Sequence, residues 1–505
     1  MTAPSTQPPT LPPDSVPSSA PPSQAKDGPA EIGYVLTVKD YLVSINGLPK
    51  VAINEVVTTE GGARGVVTAL KNNLVEVLML DDAKIRPQQQ FTRTYQSLSV
   101  EIGPYMLGRT INALGTPIDG KARFKPGPGL SIDQAIRGIR HREIIKNQFE
   151  TGVTTIDTLI PLAKGQKELI MGDARSGKTS FIIDLIVNQR EKDTICVYAI
   201  VGKSGREIRQ LVDILAANKA LPYTTVVAAS SSDLASLIYL TPGVALTVAE
   251  YFQRQGKNVL VILDDLGLHA KFYREISLLG GRTPGRESYP GDIFYQHARL
   301  MERAGAFNQN GGGGSITILP VIEIHSNDYT GFISTNLMAM TDGHLSFDAN
   351  LYHKGTRPAI DTSLSVSRVG RQTQSLAQKI LSDKVRSTLA QASKVETLSR
   401  FGSEVSSETQ LTLKHQSFIK IILKQPPLTK IPLVVQAVIL GLVFTPFLME
   451  RDEAFLRKNL TPILNYLKSM DLQALEKELM NLGNEADIIK RLSDLRPELD
   501  KVCQT

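Results

Sequence analysis

The stretch GDARSGKTS, Gly172 to Ser180, decides the fold of this 505-residue chain. Two glycines separated by four residues and followed by Lys and Thr are typical of a loop that holds phosphates. In such a loop, backbone N–H groups face the phosphates, the lysine neutralises their charge, and the threonine offers a hydroxyl to Mg²⁺. The apolar runs KELIM (167–171) and FIIDLIV (181–187) supply the strand before it and the helix after it. The sequence therefore predicts a nucleotide-binding α/β domain.

We expect ATP or ADP to contact the whole phosphate loop, which comprises Gly172, Asp173, Ala174, Arg175, Ser176, Gly177, Lys178 and Thr179. A second element supports this site, because NVLVILDD (258–265) predicts a buried strand that ends in two acids. In a parallel sheet, the first of these, Asp264, would lie near a Mg²⁺ ion and hold it through water, together with Thr179. The alternative is that these acids only cap the helix that follows.

A nucleotide hydrolase also needs a carboxylate or glutamine that orients the attacking water. We expect that group after the strand TICVYAIV (194–201), where the next residues are GKSGRE and the first side chain is Lys203. A lysine is protonated at neutral pH and cannot act as the base. Lys203 is then either a second cation beside the γ-phosphate or a solvated surface lysine, and Glu207 is the fallback carboxylate.

The order of sequence patterns predicts a multidomain chain. Residues 1–30, rich in Pro and Ser, are expected to form a disordered tail. Residues 31–105 contain short apolar runs between turn signals, which predict a small antiparallel β-barrel. Residues 106–383 alternate strands and helices, and residues 384–505 have the long amphipathic stretches of a helical bundle. These boundaries divide the chain into a tail and three domains.

Composition narrows the function classes. The net charge of +6 comes from 56 basic and 50 acidic residues that are interspersed, so it is a weak argument for nucleic acid. Two cysteines imply no disulfide framework and favour a reducing compartment. The N-terminus lacks the features of a secretory signal or a transit peptide. The apolar segment 431–449 is bracketed by Pro432 and Pro446 and is expected to be a buried helix rather than a membrane span. The glycines at 311–314 predict a mobile surface loop.

The sequence resembles the alpha-subunit family of the F-type ATP synthases from about Glu31 to at least Gln425, and more faintly to the end. The resemblance rests on motifs in the same order: EIGYVL (31–36), LGRTINALGTPIDGK (107–121), GDARSGKT (172–179), LDDL (263–266), TPGRESYPGDIFYQHARLMERAG (283–305), TDGHLSF (341–347), GTRPAID (355–361), SVSRVG (365–370) and SRFGSE (399–404). It implies an N-terminal β-barrel, a central RecA-like P-loop domain and a C-terminal helical domain. It also implies a ring that alternates with beta subunits around a rotating gamma shaft and couples proton or sodium flow to ATP synthesis or hydrolysis.

Within this family the beta subunit has a catalytic Glu after the strand that follows the phosphate loop, and the alpha subunit has a Gln there. Lys203 departs from both, while Asp173 matches the alpha subunit. In the phosphate loop, Ala174 and Arg175 stand where the family has Arg and Gln. The resemblance therefore implies a divergent, non-catalytic alpha subunit.

The resemblance also assigns residues by motif. In the family the Arg of SVSRVG, here Arg368, reaches the γ-phosphate held by the neighbouring beta subunit, and Ser365 belongs to the same segment. The pattern alone would favour a structural ion pair for Arg368. Arg357 and Gln425 match positions near the adenine, although Pro427 replaces a second Gln of that motif.

The resemblance places the segment from Glu287 to Tyr295 around the gamma shaft, where a smooth loop would suit a bearing. Family members generally begin with a helical segment that docks the peripheral stalk through the delta subunit, and residues 1–30 are not expected to form one. Either the stalk attaches differently, or the tail folds on binding. The expected location is a peripheral membrane complex at the cytoplasmic face of a bacterial inner membrane, with an organelle inner membrane or a thylakoid as alternatives.

Two other functions compete with this reading. A hexameric RecA-like translocase acting on RNA or secreted protein would need its own catalytic Glu and, for RNA, an aromatic-bearing basic barrel, whereas the chain has no Trp. An alpha paralogue that serves only in assembly would have no need of Lys178, Thr179 and Asp264. The seven histidines show no metal-binding spacing.

Overall fold

The computed structural model describes residues 31–124, 127–325, 328–399, 407–480 and 482–504. The disordered tail predicted for residues 1–30 lies outside this range, as does most of the SRFGSE motif. The described chain forms an N-terminal barrel, a central α/β domain and a C-terminal set of helices, as the sequence predicts. The domain limits at 105 and 383 stay a proposal, and one helix, Leu376–Ser399, crosses the second of them.

The N-terminal barrel is closed and antiparallel, with the strand order β1-β2-β5-β4-β3-β6. Its strands are β1 (Ile32–Lys39), β2 (Leu42–Asn46), β3 (Glu55–Thr59), β4 (Arg64–Lys71), β5 (Leu74–Met79) and β6 (Gln90–Ser97). Valines at alternate positions, such as Val35, Val57 and Val77, are fully buried inside it. This alternation is what the sequence pattern predicts for strands with one buried face.

The central domain is built on a nine-stranded sheet. The strands that form it are β8 (Thr110–Ile111), β12 (Leu169–Asp173), β13 (Thr194–Lys203), β14 (Thr224–Ser230), β15 (Asn258–Asp264), β16 (Gly305–Ala306), β17 (Ser315–Ile324), β18 (Gly343–Phe347) and β19 (Val366–Ser367). Its main path runs β19-β18-β12-β17-β15-β13-β14-β8, and β16 pairs with β17. Two separate two-stranded sheets are formed by β7 (Ser99–Glu101) with β9 (Gly129–Ser131) and by β10 (Gln148–Phe149) with β11 (Leu162–Ala163). The helices of this domain are α1 (Lys178–Val187), α2 (Gly205–Ala217), α3 (Ala235–Gln253), α4 (Leu266–Leu279), α5 (Ile293–Met301), α6 (Phe332–Met340) and α7 (Ala349–His353).

The central strands are apolar along their whole length because both faces of the sheet are covered. In β13, Tyr198 and Ile200 pack into one hydrophobic cluster, whereas Val197 and Ala199 pack into the other. Strands β12, β17, β15 and β13 are parallel, so their carboxyl ends meet at one edge of the sheet. That edge is where ligands bind in open parallel sheets.

The C-terminal region is helical. Its helices are α8 (Leu376–Ser399), α9 (Ser407–Leu423), α10 (Leu433–Leu442), α11 (Pro446–Met449), α12 (Glu453–Ser469), α13 (Leu472–Met480), α14 (Glu485–Ser493) and α15 (Arg496–Gln504). Helix α10 is largely buried, which confirms the prediction for the apolar segment around it. In the described part of the chain, one helix, α3, is long and apolar enough to cross a membrane, and 78% of its apolar window is buried inside the fold.

A buried carboxylate joins the central domain to the C-terminal helices. Asp157 accepts hydrogen bonds from the backbone N–H groups of Thr151 and Gly152, both at 2.8 Å, and from the amide of Gln436 in α10 at 2.9 Å. A second glutamine, Gln425, donates to the Gly152 carbonyl at 2.7 Å. The loop at 151–157 is therefore tied to two separate points of the C-terminal region.

The glycine-rich segment at 311–314 is packed, so its prediction as a mobile surface loop is wrong. Gly311 is buried and its carbonyl accepts a hydrogen bond from the Gln253 side chain at 3.0 Å. A Cβ at Gly311 would lie 2.5 Å from the His141 carbonyl oxygen, and one at Gly314 would overlap the Lys257 carbonyl. Gly311 and Gly314 are needed because neighbouring backbone approaches too closely for a side chain.

Two buried histidines predict an acid-sensitive central domain. His269 and His297 lie with Nδ1 and Nε2 3.3 Å apart, and burial lowers the pKa of His269 to about 4 and that of His297 to about 3. An unfolded chain takes up these protons below about pH 6.5. The contribution of the neutral imidazoles to the free energy of unfolding is therefore complete above that pH and is lost as the pH falls toward 4. When the pH falls from 7 to 5, we expect each imidazole to lower the free energy of unfolding by about 2 kcal/mol.

Urea unfolding midpoints at pH 7 and pH 5 measure this effect. His297→Gln should flatten the pH dependence, because one of the two buried titrating groups is gone. His353→Gln is the matched control, since His353 is exposed. An unchanged slope in His297→Gln would contradict the assignment.

Candidate nucleotide site

The phosphate loop joins strand β12 to helix α1, as the sequence predicts. Gly172 lies against β18, where a Cβ would overlap the Phe347 carbonyl oxygen. Gly177 has φ of 98° directly before the helix and faces the ring of Tyr352, 3.1 Å from where a Cβ would stand. Both positions therefore require glycine, one for close approach and one for backbone conformation.

The Lys178 side chain folds back onto the backbone of the phosphate loop. Its ammonium donates to the carbonyl oxygens of Gly172 and Asp173, both at 2.7 Å, and burial lowers its pKa. The neighbouring Ser176 hydroxyl is buried and has no hydrogen-bond partner within the described residues. A phosphate bound in the loop would supply an acceptor for the Ser176 hydroxyl and for the Lys178 ammonium, because phosphate oxygens accept hydrogen bonds from both kinds of group.

Residues 175–179 of the loop line a cleft of about 830 Å³ at the carboxyl edge of the sheet, together with Lys203. Arg175, with φ of 59°, and Thr179 are exposed there. Ala174 is exposed and Asp173 is half-buried at the end of β12, and neither lines the cleft. The structure thus brings residues 175–179 and Lys203 to one site.

Lys203 contacts a carboxylate rather than bulk water. It is the last residue of β13, and Asp264 is the last residue of the adjacent strand β15. The Lys203 ammonium forms an ion pair with Asp264 Oδ2, and the Tyr198 hydroxyl donates to the same oxygen at 2.7 Å. The side chains of Lys203 and Asp264 are only 18% and 5% exposed. Of the two possibilities for Lys203, the solvated surface lysine is excluded.

The two other acids considered for this site cap helices. Asp265, not Asp264, is the N-cap of α4 and accepts hydrogen bonds from the N–H groups of Leu268 and Glu323, both at 2.8 Å. Glu207 completes a capping box at the start of α2, where Ser204 donates its N–H at 3.0 Å and its hydroxyl at 2.6 Å. These bonds lower the pKa of Glu207 and hold its carboxylate to the helix end. Glu207 is therefore poorly placed to activate water.

The pair predicted to hold Mg²⁺ fits the ion only in part. Thr179 is exposed in the cleft, as a magnesium ligand would be. Asp264, however, already faces the Lys203 ammonium and the Tyr198 hydroxyl. A divalent cation beside Asp264 would stand next to a fixed positive charge, which opposes its binding. Within the described residues no cluster of three His, Cys, Asp or Glu side chains forms another metal site.

The residues predicted near the adenine line a small pocket of about 60 Å³ beside the phosphate loop. Arg357 stacks on the Tyr352 ring, 3.5 Å from its centroid, and donates to the Tyr352 carbonyl at 2.6 Å. Gln425 is buried, and its amide bonds Gly152, Thr429 and Thr154 at 2.6 to 3.1 Å. These four bonds use both its N–H groups and its oxygen twice, so Gln425 has no free group to read a base.

Arg368 lies away from the cleft. It follows β19, the edge strand of the central sheet, and its side chain is exposed. Its backbone N–H donates to the Asp342 carbonyl at 2.9 Å, but its guanidinium has no hydrogen bond or ion pair with any residue of the described ranges. Burial raises the pKa of the nearby Glu168 carboxyl well above its ordinary value, which favours the neutral form and weakens its attraction for Arg368.

The segment that carries Arg368 is held firmly. The Ser365 hydroxyl donates to the Asp361 carbonyl at 2.6 Å and accepts the N–H of Ser346 at 2.9 Å. The Ser367 hydroxyl donates to the Pro161 carbonyl at 2.6 Å. Ser365 therefore anchors the segment and is not free to contact a ligand through its own proton.

The segment predicted to face a shaft, 287–295, contains both buried and exposed side chains. Tyr289 and Ile293 are 7% and 0% exposed and belong to the core. The exposed apolar side chains of this segment are Phe294 and Tyr295, at 38% and 62%. Helix α5 begins at Ile293 and turns these two rings outward.

Two residues of the site were not predicted from the sequence. Tyr198 lies inside an apolar strand, where its pattern is that of a core residue. Tyr352 lies in the short helix α7 and contributes to both the cleft and the smaller pocket. Neither has a spacing signal, because each meets the site only through tertiary packing.

Comparisons with known proteins agree with this geometry. A model of the ATP synthase alpha/beta family, nucleotide-binding domain, matches residues 152–367. A second model, the ATP synthase alpha/beta chain, C terminal domain, matches residues 374–494.

Several relatives carry the name ATP synthase subunit alpha. The protein of Mycoplasma pneumoniae is 43% identical over 79% of this chain and 77% of its own length. That of Mycoplasmopsis agalactiae is 37% identical over 93% of both chains. That of Rickettsia bellii is 41% identical over 78% of this chain and 79% of its own.

Proposed function

This chain belongs to the ATP synthase alpha/beta family, and from that premise we propose that it is a non-catalytic, nucleotide-binding alpha subunit of a rotary F-type ATP synthase. The observation that carries the proposal is the Lys203–Asp264 ion pair beside an intact phosphate loop. The loop supports bound ATP or ADP. The ammonium stands where a hydrolase would need a group that activates water.

The position of Arg368 supports a role in a neighbouring subunit. An exposed guanidinium at the edge of the sheet, with no hydrogen bond or ion pair to the described residues, is available to a phosphate held by another chain. A planar fork of donors stabilises charge spread over phosphoryl oxygens, and supplying it in trans makes the reaction depend on the position of the two subunits. We therefore assign Arg368 as the group that completes the catalytic site of an adjacent beta subunit.

Family membership supports the remaining partners. The proposed assembly is a ring in which this chain alternates with beta subunits around a gamma shaft, on a complex attached to a membrane. Phe294 and Tyr295 are the side chains of the segment 287–295 that are exposed for the shaft. The bacterial relatives favour the cytoplasmic face of the inner membrane.

Hydrolysis assays of the separate and mixed subunits test the proposal. The purified chain alone should release no phosphate from ATP above background, whereas a mixture with the beta subunit of the same organism should be active. The beta subunit alone is the control for activity that does not need this chain. Hydrolysis by this chain alone would overturn the proposal, and stimulation of that hydrolysis by RNA would indicate the translocase instead.

A further inference from the structure

The Lys203–Asp264 pair has a consequence for how the cleft neutralises a bound polyphosphate. Sites of this type ordinarily use a divalent cation for that purpose, held near a carboxylate at the end of a strand. Here that carboxylate is Asp264, and the cation beside it belongs to the protein. We propose that Lys203 takes the place of the divalent cation, so that this site binds nucleoside di- or triphosphates without needing Mg²⁺.

The position of Lys203 suits this role. It lines the same cleft as Lys178, and both ammonium groups interact electrostatically with the Asp264 and Asp265 carboxylates. The Lys203 ammonium has three N–H groups, of which one is used by Asp264, and it makes no other hydrogen bond to the described residues. The remaining two are free to donate to phosphate oxygens.

The position of Asp264 argues against a metal as well. Its oxygen Oδ2 accepts from both Lys203 and Tyr198 in a largely buried setting. For an ion to use that oxygen, a buried ion pair would have to separate, and separating such a pair leaves uncompensated charge. The ammonium would also stay within the same small space as the ion and repel it.

Fixing the cation to the chain also changes what the site recognises. A magnesium site selects the metal complex of the nucleotide. Two lysines, here Lys178 and Lys203, instead neutralise the metal-free polyphosphate directly. The inference rests on the proposed nucleotide binding and goes beyond it, because it specifies which form of the nucleotide is bound.

The test is the affinity of the full-length chain for a fluorescent ATP analogue, measured once in excess EDTA and once in millimolar Mg²⁺. We expect the two dissociation constants of the unmodified chain to agree within about threefold. Lys203→Gln should bind at least tenfold more weakly in EDTA and should recover most of that loss in Mg²⁺, since Asp264 is then free. Lys203→Arg keeps the charge and should stay independent of the metal.

The chain offers a matched control at the opposite end of the same two strands. Lys257, just before β15, pairs with Asp193, just before β13, at 2.8 Å. Lys257→Gln removes the same charge and a Lys–Asp ion pair, here an exposed one, away from the cleft. Both of its dissociation constants should therefore equal those of the unmodified chain. Thermal unfolding midpoints of all variants show whether each is folded.

The outcomes separate this inference from the proposed function. Binding by the unmodified chain that tightens tenfold or more with Mg²⁺ would overturn the inference and leave nucleotide binding intact. Metal independence that persists in Lys203→Gln would also overturn it, since Lys203 would not be its cause. Absence of binding in both conditions would instead refute the nucleotide site itself. Even if Lys203→Gln fails to fold, the comparison on the unmodified chain can still overturn the inference, because binding that depends on Mg²⁺ contradicts it.

Discussion

Arg368→Ala is expected to lower ATP hydrolysis by the assembled alpha–beta ring at least about 1,000-fold, because a guanidinium supplied in trans carries an effect of that size in phosphoryl transfer. The side chain is exposed and has no partner among the described residues, so its removal should leave the stability of the chain unchanged. Nucleotide binding in the chain's own cleft should also be unaffected, since Arg368 does not line it. The measurement is steady-state phosphate release by rings isolated by size-exclusion chromatography.

Arg371→Ala is the matched control. Arg371 lies three residues further on, is 49% exposed and pairs with Asp383 at 2.6 Å. Pairs of this kind at a surface contribute about 0–1 kcal/mol, so little should change. If Arg368→Ala rings hydrolyse ATP at the unmodified rate, or if both variants fall equally, the trans role is wrong.

Gly370→Ala should lower hydrolysis by the ring about 100-fold without any change in the reacting groups. A Cβ at Gly370 would overlap the Pro161 carbonyl oxygen, which the Ser367 hydroxyl also contacts. The segment 365–370 must then shift away from Pro161, and Arg368 shifts with it. A displacement of about 1 Å is enough for a 100-fold loss of rate when a group must meet its phosphate accurately.

The same substitution should lower the free energy of unfolding by about 1–3 kcal/mol, because overpacking forces the backbone to move. Gly138→Ala serves as the control, since nothing lies within 4 Å of the Cβ it would add. Both activity and urea stability are measured on the same preparations. Full activity in Gly370→Ala would show that the placement of Arg368 does not depend on this contact.

The phosphate loop, the barrel strands and the central sheet could be predicted because their sequence signals lie within short stretches of the chain. The phosphate loop needs two glycines, a lysine and a threonine within eight residues, and all of them lie where the pattern requires. The barrel follows from alternation along short strands, and the central sheet from apolar runs between helices. These features depend on neighbours in the chain, so one sequence is enough to find them.

The contacts that define this site depend instead on strand order. Lys203 and Asp264 are 61 residues apart and meet only because β13 and β15 are adjacent. Gln425 matches a base-binding position by motif, yet its hydrogen bonds hold the loop at 151–154. Tyr289 and Ile293 lie in a segment rich in Gly and Pro, where no periodicity indicates which side chains face inward. Burial and pairing of this kind could not be predicted from spacing.

The buried loop at 151–157 makes the central sheet and the C-terminal helices resist sliding past each other. Its bonds to Gln425 and Gln436 are short and largely enclosed, and each one broken without replacement would cost about 1–3 kcal/mol. Any displacement of the C-terminal helices would therefore carry the loop at 151–157 along with them. Relative motion of the two regions would have to be absorbed by parts of the chain other than this connection.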